Sequence, residues 1–193
     1  MHITVANTAA LCSDLPAGAV GAVGAGDARL SPAAQRGMAI HLSAGSGTGP
    51  TELAAFDAAL MDAGVANYNL LYLSSVIPPN SRIVCNRHVT PPHEYGQRLY
   101  VVLAQMRQSQ PGGQAHAGIG WVQVGDDGPG LFVELHDDNR ERLESDLHAT
   151  LNDMRHRRAA GYGPVRTVIA SQRCNDAPVC ALVVAVYACE PWQ

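Results

Sequence analysis

The fold is decided by residues 45–79, which have the sequence GSGTGPTELAAFDAALMDAGVANYNLLYLSSVIPP. The glycine-rich start predicts a tight turn, and Pro50 suits the first position of the helix that follows. That helix is expected to end at Gly64, because glycine is common just past a helix C-terminus. The next stretch, NYNLLYLSSVI, is typical of a strand, which the Pro78–Pro79 pair terminates. The segment therefore predicts a turn, a helix and a strand in direct succession.

The remaining sequence adds further strands and a second helix. Strands are predicted for GMAIHLSA, RLYVVLAQMR, AHAGIGWVQV, LFVELH, PVRTVIASQR and ALVVAVYAC. Asp138 and Glu141 are spaced as a capping box that begins the second helix. The buried face of that helix is predicted from one apolar stripe, Leu143, Leu147, Leu151 and Met154. Two helices among about seven strands, clustered rather than alternating, predict an α+β fold in which helices cover sheets.

The chain divides into an extension and a domain. Residues 1–36 are rich in alanine and glycine without a sustained period, and we expect them to be loosely ordered. Residues 37–193 contain all the predicted helices and strands and are expected to form a single domain.

The composition excludes several classes of protein. All thirteen basic residues are arginine, whereas pyridoxal phosphate enzymes and Walker phosphate loops both need a lysine. The net charge of −4 argues against a nucleic-acid partner. No apolar run approaches the roughly 20 residues of a membrane span, so no membrane association is expected. Since no signal-peptide pattern is present either, a cytoplasmic protein with reduced cysteines is expected.

An aspartate interrupts the apolar pattern of the first helix. Leu53, Asp57 and Leu60 follow the spacing i, i+4, i+7 and are expected to share one buried stripe. A carboxylate at the end of such an apolar slot would suit a cation like guanidinium. The alternative is an aspartate at the helix edge that reaches solvent.

An asparagine and a serine are predicted on one face of the strand that follows. Asn69, Leu71, Leu73 and Ser75 alternate along the strand, so the amide and the hydroxyl should point the same way. Adjacent serines at a strand end, Ser74 and Ser75, can equally form a turn or a cap.

A glutamate interrupts the later strand LFVELH. If Leu131 and Val133 face one side, Glu134 faces the other together with Phe132. A buried glutamate there would have a raised pKa and could donate a proton, whereas one on a wet face would have no such role. The eight histidines match no metal-binding spacing, so no metal is expected.

Residues 45–79 resemble the pyruvoyl-dependent arginine decarboxylases. The resemblance rests on an AFDxALxxAG helix, an N-x-N-L strand and the SSVIPP junction, in that order. It continues through PPHEYG and GLFVELH and covers residues 37 to about 190. The resemblance implies an αββα sandwich, with two packed sheets covered by helices, that assembles as a homotrimer or a dimer of trimers with active sites between subunits.

The resemblance also implies roles for the flagged residues. Ser75 would be the precursor of a covalent pyruvoyl group, formed when the chain cuts itself after Ser74. Asn69 would assist this cut and Glu134 would donate a proton during decarboxylation. Asp57 would hold the substrate guanidinium, with Leu53 and Leu60 lining the slot.

The implied function is decarboxylation of arginine to agmatine and CO₂. The pyruvoyl keto carbonyl would bind the substrate amine and accept electrons as CO₂ leaves, in place of a diffusible cofactor. Two alternatives remain open. The same chemistry could act on another amino acid such as histidine or a modified arginine, or the chain could be an uncut trimeric module that binds ligands without catalysis.

Overall fold

A computed structural model describes residues 37–158 and 161–192, so the extension predicted for residues 1–36 lies outside the described residues. The described residues form two α-helices, α1 (Glu52–Ala63) and α2 (Arg140–His156), and nine strands. In chain order the strands are β1 (Met38–Thr48), β2 (Asn69–Tyr72), β3 (Val76–Ile77), β4 (Ser81–Cys85), β5 (Arg98–Gln108), β6 (Gln114–Gln123), β7 (Gly130–Asp137), β8 (Arg166–Arg173) and β9 (Val179–Glu190). A short 3₁₀ helix, Pro92–Glu94, precedes β5.

The strands form two sheets that pack face to face between the two helices. One sheet has five strands in the order β2-β5-β9-β1-β4, and the other has four in the order β3-β7-β6-β8. Buried side chains of both sheets meet in a central layer that includes Val183 and Ile119. Helix α1 covers the five-stranded sheet and α2 covers the four-stranded one. The α+β class and the αββα layering are therefore confirmed.

Strand β1 and helix α1 pack unusually closely because both present small residues at their contact. The helix buries Ala55, Ala59 and Ala63. A Cβ placed on Gly45 or Gly47 would lie 2.3 Å from a carbonyl oxygen of this helix. The prediction of a glycine-rich turn here is wrong, since β1 runs through to Thr48. The glycines act as a flat surface for the helix rather than as a turn.

This close packing also turns the predicted helix stripe outward. The alanines take the contact with the sheet, and Leu53 is left 68% exposed. Asp57 is exposed as well, and Leu60 is half-buried. The prediction that these three residues share the buried face of the helix is therefore wrong, and the alternative of an aspartate that reaches solvent is the one that holds for Asp57. Helix α1 begins after Thr51, whose hydroxyl caps it, and ends at Gly64 in the left-handed conformation as predicted.

The predicted strand of residues 67–77 is in fact divided between the two sheets. Strand β2 pairs in parallel with β5 in the five-stranded sheet. Strand β3 pairs antiparallel with β7 in the four-stranded sheet. The prediction of one continuous strand is wrong because the chain crosses from one sheet to the other at residues 73–75.

The second helix follows its prediction except at its start. Leu143, Leu147 and Leu151 are buried and Met154 packs beside them, as expected. The capping residue is Asn139 rather than Asp138, and its side-chain oxygen accepts from the Arg142 backbone N–H at 2.8 Å.

Cys174, Cys180 and Cys189 are free thiols. Across the described residues, neither helix combines the length and the apolar character that a bilayer crossing requires.

Candidate active site

Ser75 lies at the crossing between the two sheets, with its side chain against a glutamate. Its hydroxyl donates to the Glu134 carboxylate, with Oγ at 2.6 Å from Oε1 and 2.8 Å from Oε2. Its backbone is in the left-handed region, with φ of 63°. That region is unfavourable for an L-residue that is not glycine, and such strain is concentrated at functional sites. The neighbouring Ser74 is exposed, and Ser75 is half-buried.

The backbone on either side of the two serines is held by a different sheet. The Leu73 N–H donates to the Val101 carbonyl of β5 at 2.8 Å. The Ser75 carbonyl accepts from the Phe132 N–H of β7 at 2.9 Å. The Ser74–Ser75 peptide is thus the link between two anchored ends, which is the arrangement in which a strained bond can persist.

Glu134 reaches this link from β7. Along that strand Leu131 and Val133 pack against α2, whereas Phe132 packs in the central layer between the sheets. Glu134 therefore faces the same side as Phe132, as its position in the sequence predicted. It is half-buried and lies just beyond the residues of β7 that pair with the edge strand β3.

Tyr187 is a third member of this cluster, and the sequence analysis did not find it. Its hydroxyl donates to the Val76 carbonyl at 3.0 Å. Burial raises the pKa of Tyr187 above its ordinary value, and the nearby Glu134 carboxylate adds to the shift. The phenol therefore remains a proton-bearing donor at neutral pH. The only signal in the sequence is one hydroxyl-bearing aromatic residue near the end of the small, apolar strand ALVVAVYAC.

Asn69 lies at the start of β2, and its side chain is bound to a neighbouring loop. Its Nδ2 donates to the Gly96 carbonyl at 2.6 Å, and the Trp192 indole N–H donates to the same oxygen at 2.8 Å. Among the described residues, no side-chain hydrogen bond joins Asn69 to either serine. Because β2 and β3 belong to different sheets, the shared face expected for Asn69 and Ser75 does not arise from one strand.

The loop that holds Asn69 is itself fixed by a polar cluster. The Tyr68 hydroxyl donates to Glu94 and lies 3.3 Å from His88 Nε2. Burial, together with Glu94, raises the pKa of Tyr68. Burial lowers the pKa of His88. This cluster ties the PPHEYG loop to the strand that carries Asn69.

The predicted substrate-binding residues form a separate feature on α1. They line a surface depression of about 520 Å³ along the helix, with the lining residues Thr51, Leu53, Ala54, Phe56, Asp57 and Leu60. The lining is an exposed carboxylate among mostly apolar groups, which is the composition expected for binding a cation on an aliphatic stem. Ser75 and Glu134 are not part of this depression, so the structure brings together one half of the predicted site but not both.

Comparison with known proteins identifies the family. The sequence model of the pyruvoyl-dependent arginine decarboxylases matches residues 39–190. The chain belongs to this family. A pyruvoyl-dependent arginine decarboxylase of Methanopyrus kandleri is 34% identical over 152 residues, which are 75% of this chain and 92% of the relative.

Other members match over shorter stretches. The pyruvoyl-dependent arginine decarboxylase of Halobacterium salinarum is 44% identical over 99 residues, 51% of this chain. The match spans 61% of that relative's length. A solved structure of pyruvoyl-dependent histidine decarboxylase has a TM-score of 0.39 and 16% identity, over 55% of this chain and 56% of that one. This likeness is too weak to bear on the site.

The residues at the crossing fit the covalent pyruvoyl group of the family. A pyruvoyl group formed from Ser75 would keep the backbone carbonyl that the Phe132 N–H already binds. It would also remain joined to Val76, whose carbonyl Tyr187 holds. The group would thus stay anchored by contacts that do not involve the serine hydroxyl.

Proposed function

We propose that this protein is an arginine decarboxylase that makes its own pyruvoyl group by cutting the bond between Ser74 and Ser75. It would convert arginine to agmatine and CO₂ in the cytoplasm. The observation that carries this proposal is Ser75 itself, a serine held in the left-handed conformation between two sheets with its hydroxyl on a carboxylate. No purely structural role requires that combination at a Ser-Ser pair.

The cut follows from the position of the Ser75 hydroxyl. Oγ adds to the carbonyl carbon of Ser74, the peptide C–N bond breaks, and an ester forms while the nitrogen of residue 75 gains a proton. Loss of the Cα proton with cleavage of the Cβ–Oγ bond then frees residues 1–74 and leaves dehydroalanine at residue 75. Water replaces the nitrogen, which leaves as ammonia, and a pyruvoyl group remains. Asn69 would assist by donating a hydrogen bond from its amide to the developing oxyanion. For this, the amide would first have to release the Gly96 carbonyl that it now binds.

The pyruvoyl group, when formed, supplies a keto carbonyl that binds the substrate amine and withdraws electrons as CO₂ leaves. The residues of the chain supply the rest. Glu134, which contacts the Ser75 hydroxyl and so lies beside the residue that would become the pyruvoyl group, would protonate the substrate α-carbon. Asp57 would pair with the guanidinium and fix the side chain, while Leu53 and Leu60 contact its methylene groups.

The separation of the two half-sites supports an active site shared between copies of the chain, which a homotrimer would provide. The depression around Asp57 is lined by Thr51 and residues of α1, whereas Ser75 and Glu134 lie at the edge where the chain crosses between the two sheets. A second copy of the chain would bring its Asp57 face against this edge. The exposed apolar side chains Leu71, Tyr72, Leu73 and Val76 line the edge and give such a contact its apolar area.

The test is the intact mass of the purified protein, with Ser75→Ala as the matched control. We expect the wild type to give two fragments, residues 1–74 and 75–193, with the larger one blocked to N-terminal sequencing by a ketone. We expect Ser75→Ala to remain a single 20.3 kDa chain. Release of CO₂ from carboxyl-labelled arginine, histidine and ornithine then identifies the substrate.

The outcomes separate the proposal from its alternatives. A wild-type chain that stays whole after long incubation would contradict the cut and favour a binding module. A cut chain that decarboxylates histidine but not arginine would keep the chemistry and change the substrate.

A further inference from the structure

The cut would create a new chain end at residue 75, and little local structure holds that end. Strand β3 consists of only Val76 and Ile77. The residues after it, Pro78 and Pro79, have no N–H with which to extend the ladder to β7. Ile77 is fully buried, whereas Val76 is 57% exposed. In the uncut chain the peptide bond to Ser74 restrains this end, and the cut removes that restraint.

Tyr187 is placed at an irregularity of β9 that sets its direction. Tyr100 of β5 pairs with Ala188, but the next residue, Val101, pairs with Val186. Tyr187 is therefore the extra residue of a β-bulge. Bulges of this kind redirect a side chain and are common beside functional sites.

The hydroxyl of Tyr187 bridges the two sheets. Strand β9 lies in the five-stranded sheet, yet Tyr187 donates to the Val76 carbonyl in the four-stranded sheet. Its ring packs edge-on against Phe132, with the ring centroids 6.2 Å apart. The Phe132 N–H in turn binds the Ser75 carbonyl. The phenol thus braces residues 75 and 76 from the side opposite to β7.

We propose that Tyr187 is a positioning residue that holds the new N-terminus at residues 75 and 76 in place after the cut. This inference rests on the proposed function, because it concerns the chain end that the cut would produce. The hydrogen bond to Val76 keeps the reactive group in line with Glu134. Before the cut, the covalent link to Ser74 performs the same task, so the phenol matters mainly afterwards.

The experiment measures hydrogen exchange at the Phe132 amide, whose acceptor is the carbonyl of residue 75. Tyr187→Phe removes the hydroxyl and keeps the ring that packs on Phe132. In the cut protein we expect exchange at this amide to rise about tenfold, the factor that loss of one ordinary hydrogen bond gives. In the uncut Ser75→Ala protein, the same substitution should change exchange by less than about twofold.

Tyr100→Phe is the matched control, since it removes a hydroxyl that donates to Glu190 at 2.5 Å on the neighbouring strand. It should leave exchange at Phe132 unchanged. Decarboxylation by cut Tyr187→Phe should fall in kcat, while the rate of the cut stays within about twofold of the wild type.

Unchanged exchange at Phe132 in cut Tyr187→Phe would overturn this inference alone, and so would an equal rise in cut and uncut proteins. A wild-type chain that is never cut would overturn the proposed function together with it.

Discussion

At the scale of single residues, the strain at Ser75 has a direct chemical consequence. The left-handed backbone is costly because the Cβ of an L-residue crowds its own peptide group, at about 1–2 kcal/mol. Conversion of serine to pyruvoyl makes the α-carbon planar and removes this stereochemical conflict. If the chain is cut as proposed, the strain would exist only in the precursor and would favour its conversion.

The two roles that Glu134 can take are separable by one substitution. Glu134→Gln keeps an oxygen that accepts from the Ser75 hydroxyl but removes the acid that would protonate the substrate. We expect the cut to proceed while decarboxylation falls by about 10²–10⁴-fold, the usual contribution of a general acid. The fraction cut is measured by intact mass and the turnover by CO₂ release. Cut Glu134→Gln protein with normal turnover would remove Glu134 from the reaction.

What the sequence predicts of the site differs from residue to residue. The face of Glu134 could be predicted because the alternation of one strand is a local pattern. Ser75 was predicted on a continuous strand, but it lies at the crossing between two sheets. Tyr187 could not be predicted, since its direction depends on a register shift between β5 and β9, which are joined by no local pattern. Asp57 was predicted on the wrong face because helical spacing does not say which face meets the sheet.

At the scale of elements, the contact between α1 and β1 explains that error. An apolar stripe of leucines normally predicts the buried face of a helix. Here glycines in β1 leave no depth for leucine, and the alanine face packs instead. The small residues decide the packing and leave Leu53, Asp57 and Leu60 to line the surface depression.

The end of α1 offers a sharp test of this close packing. Gly64 has a φ of 83°, and a Cβ there would lie 1.9 Å from the His88 carbonyl oxygen. Gly112 has the same conformation, with φ of 84°, but has nothing within 4 Å. We expect Gly64→Ala to lower the free energy of unfolding by about 3 kcal/mol or more, against about 1 kcal/mol for Gly112→Ala.

Both substitutions are made in the Ser75→Ala background, so that one intact chain unfolds. Urea denaturation at one protein concentration measures the difference. Equal losses in the two variants would mean that the backbone conformation alone matters and that the loop around His88 moves aside.

At the scale of the whole molecule, the crossing between β2 and β3 is the feature on which the proposed self-cleavage depends. It places one peptide bond between two independently stabilised sheets. Cutting that bond leaves both sheets intact, because β2 remains paired with β5, and β3 with β7. Two helices among clustered strands predict an α+β fold, and the family resemblance implies the sandwich. The crossing could not be predicted, because it depends on which sheet each half of a single apolar run joins.

The distance between the two half-sites leads to a prediction about assembly. If each active site combines Asp57 of one copy with Ser75 of the next, two inactive variants should complement each other. Ser75→Ala and Asp57→Ala chains are mixed in equal amounts, unfolded and reassembled together. In random trimers about one interface in four pairs an intact Asp57 with an intact Ser75, so about a quarter of the wild-type activity should return.

Each variant reassembled alone is the control, and CO₂ release from arginine is the measurement. Activity of the mixture no higher than the average of the two controls would mean that one chain supplies both residues, and α1 would then have to move towards Ser75.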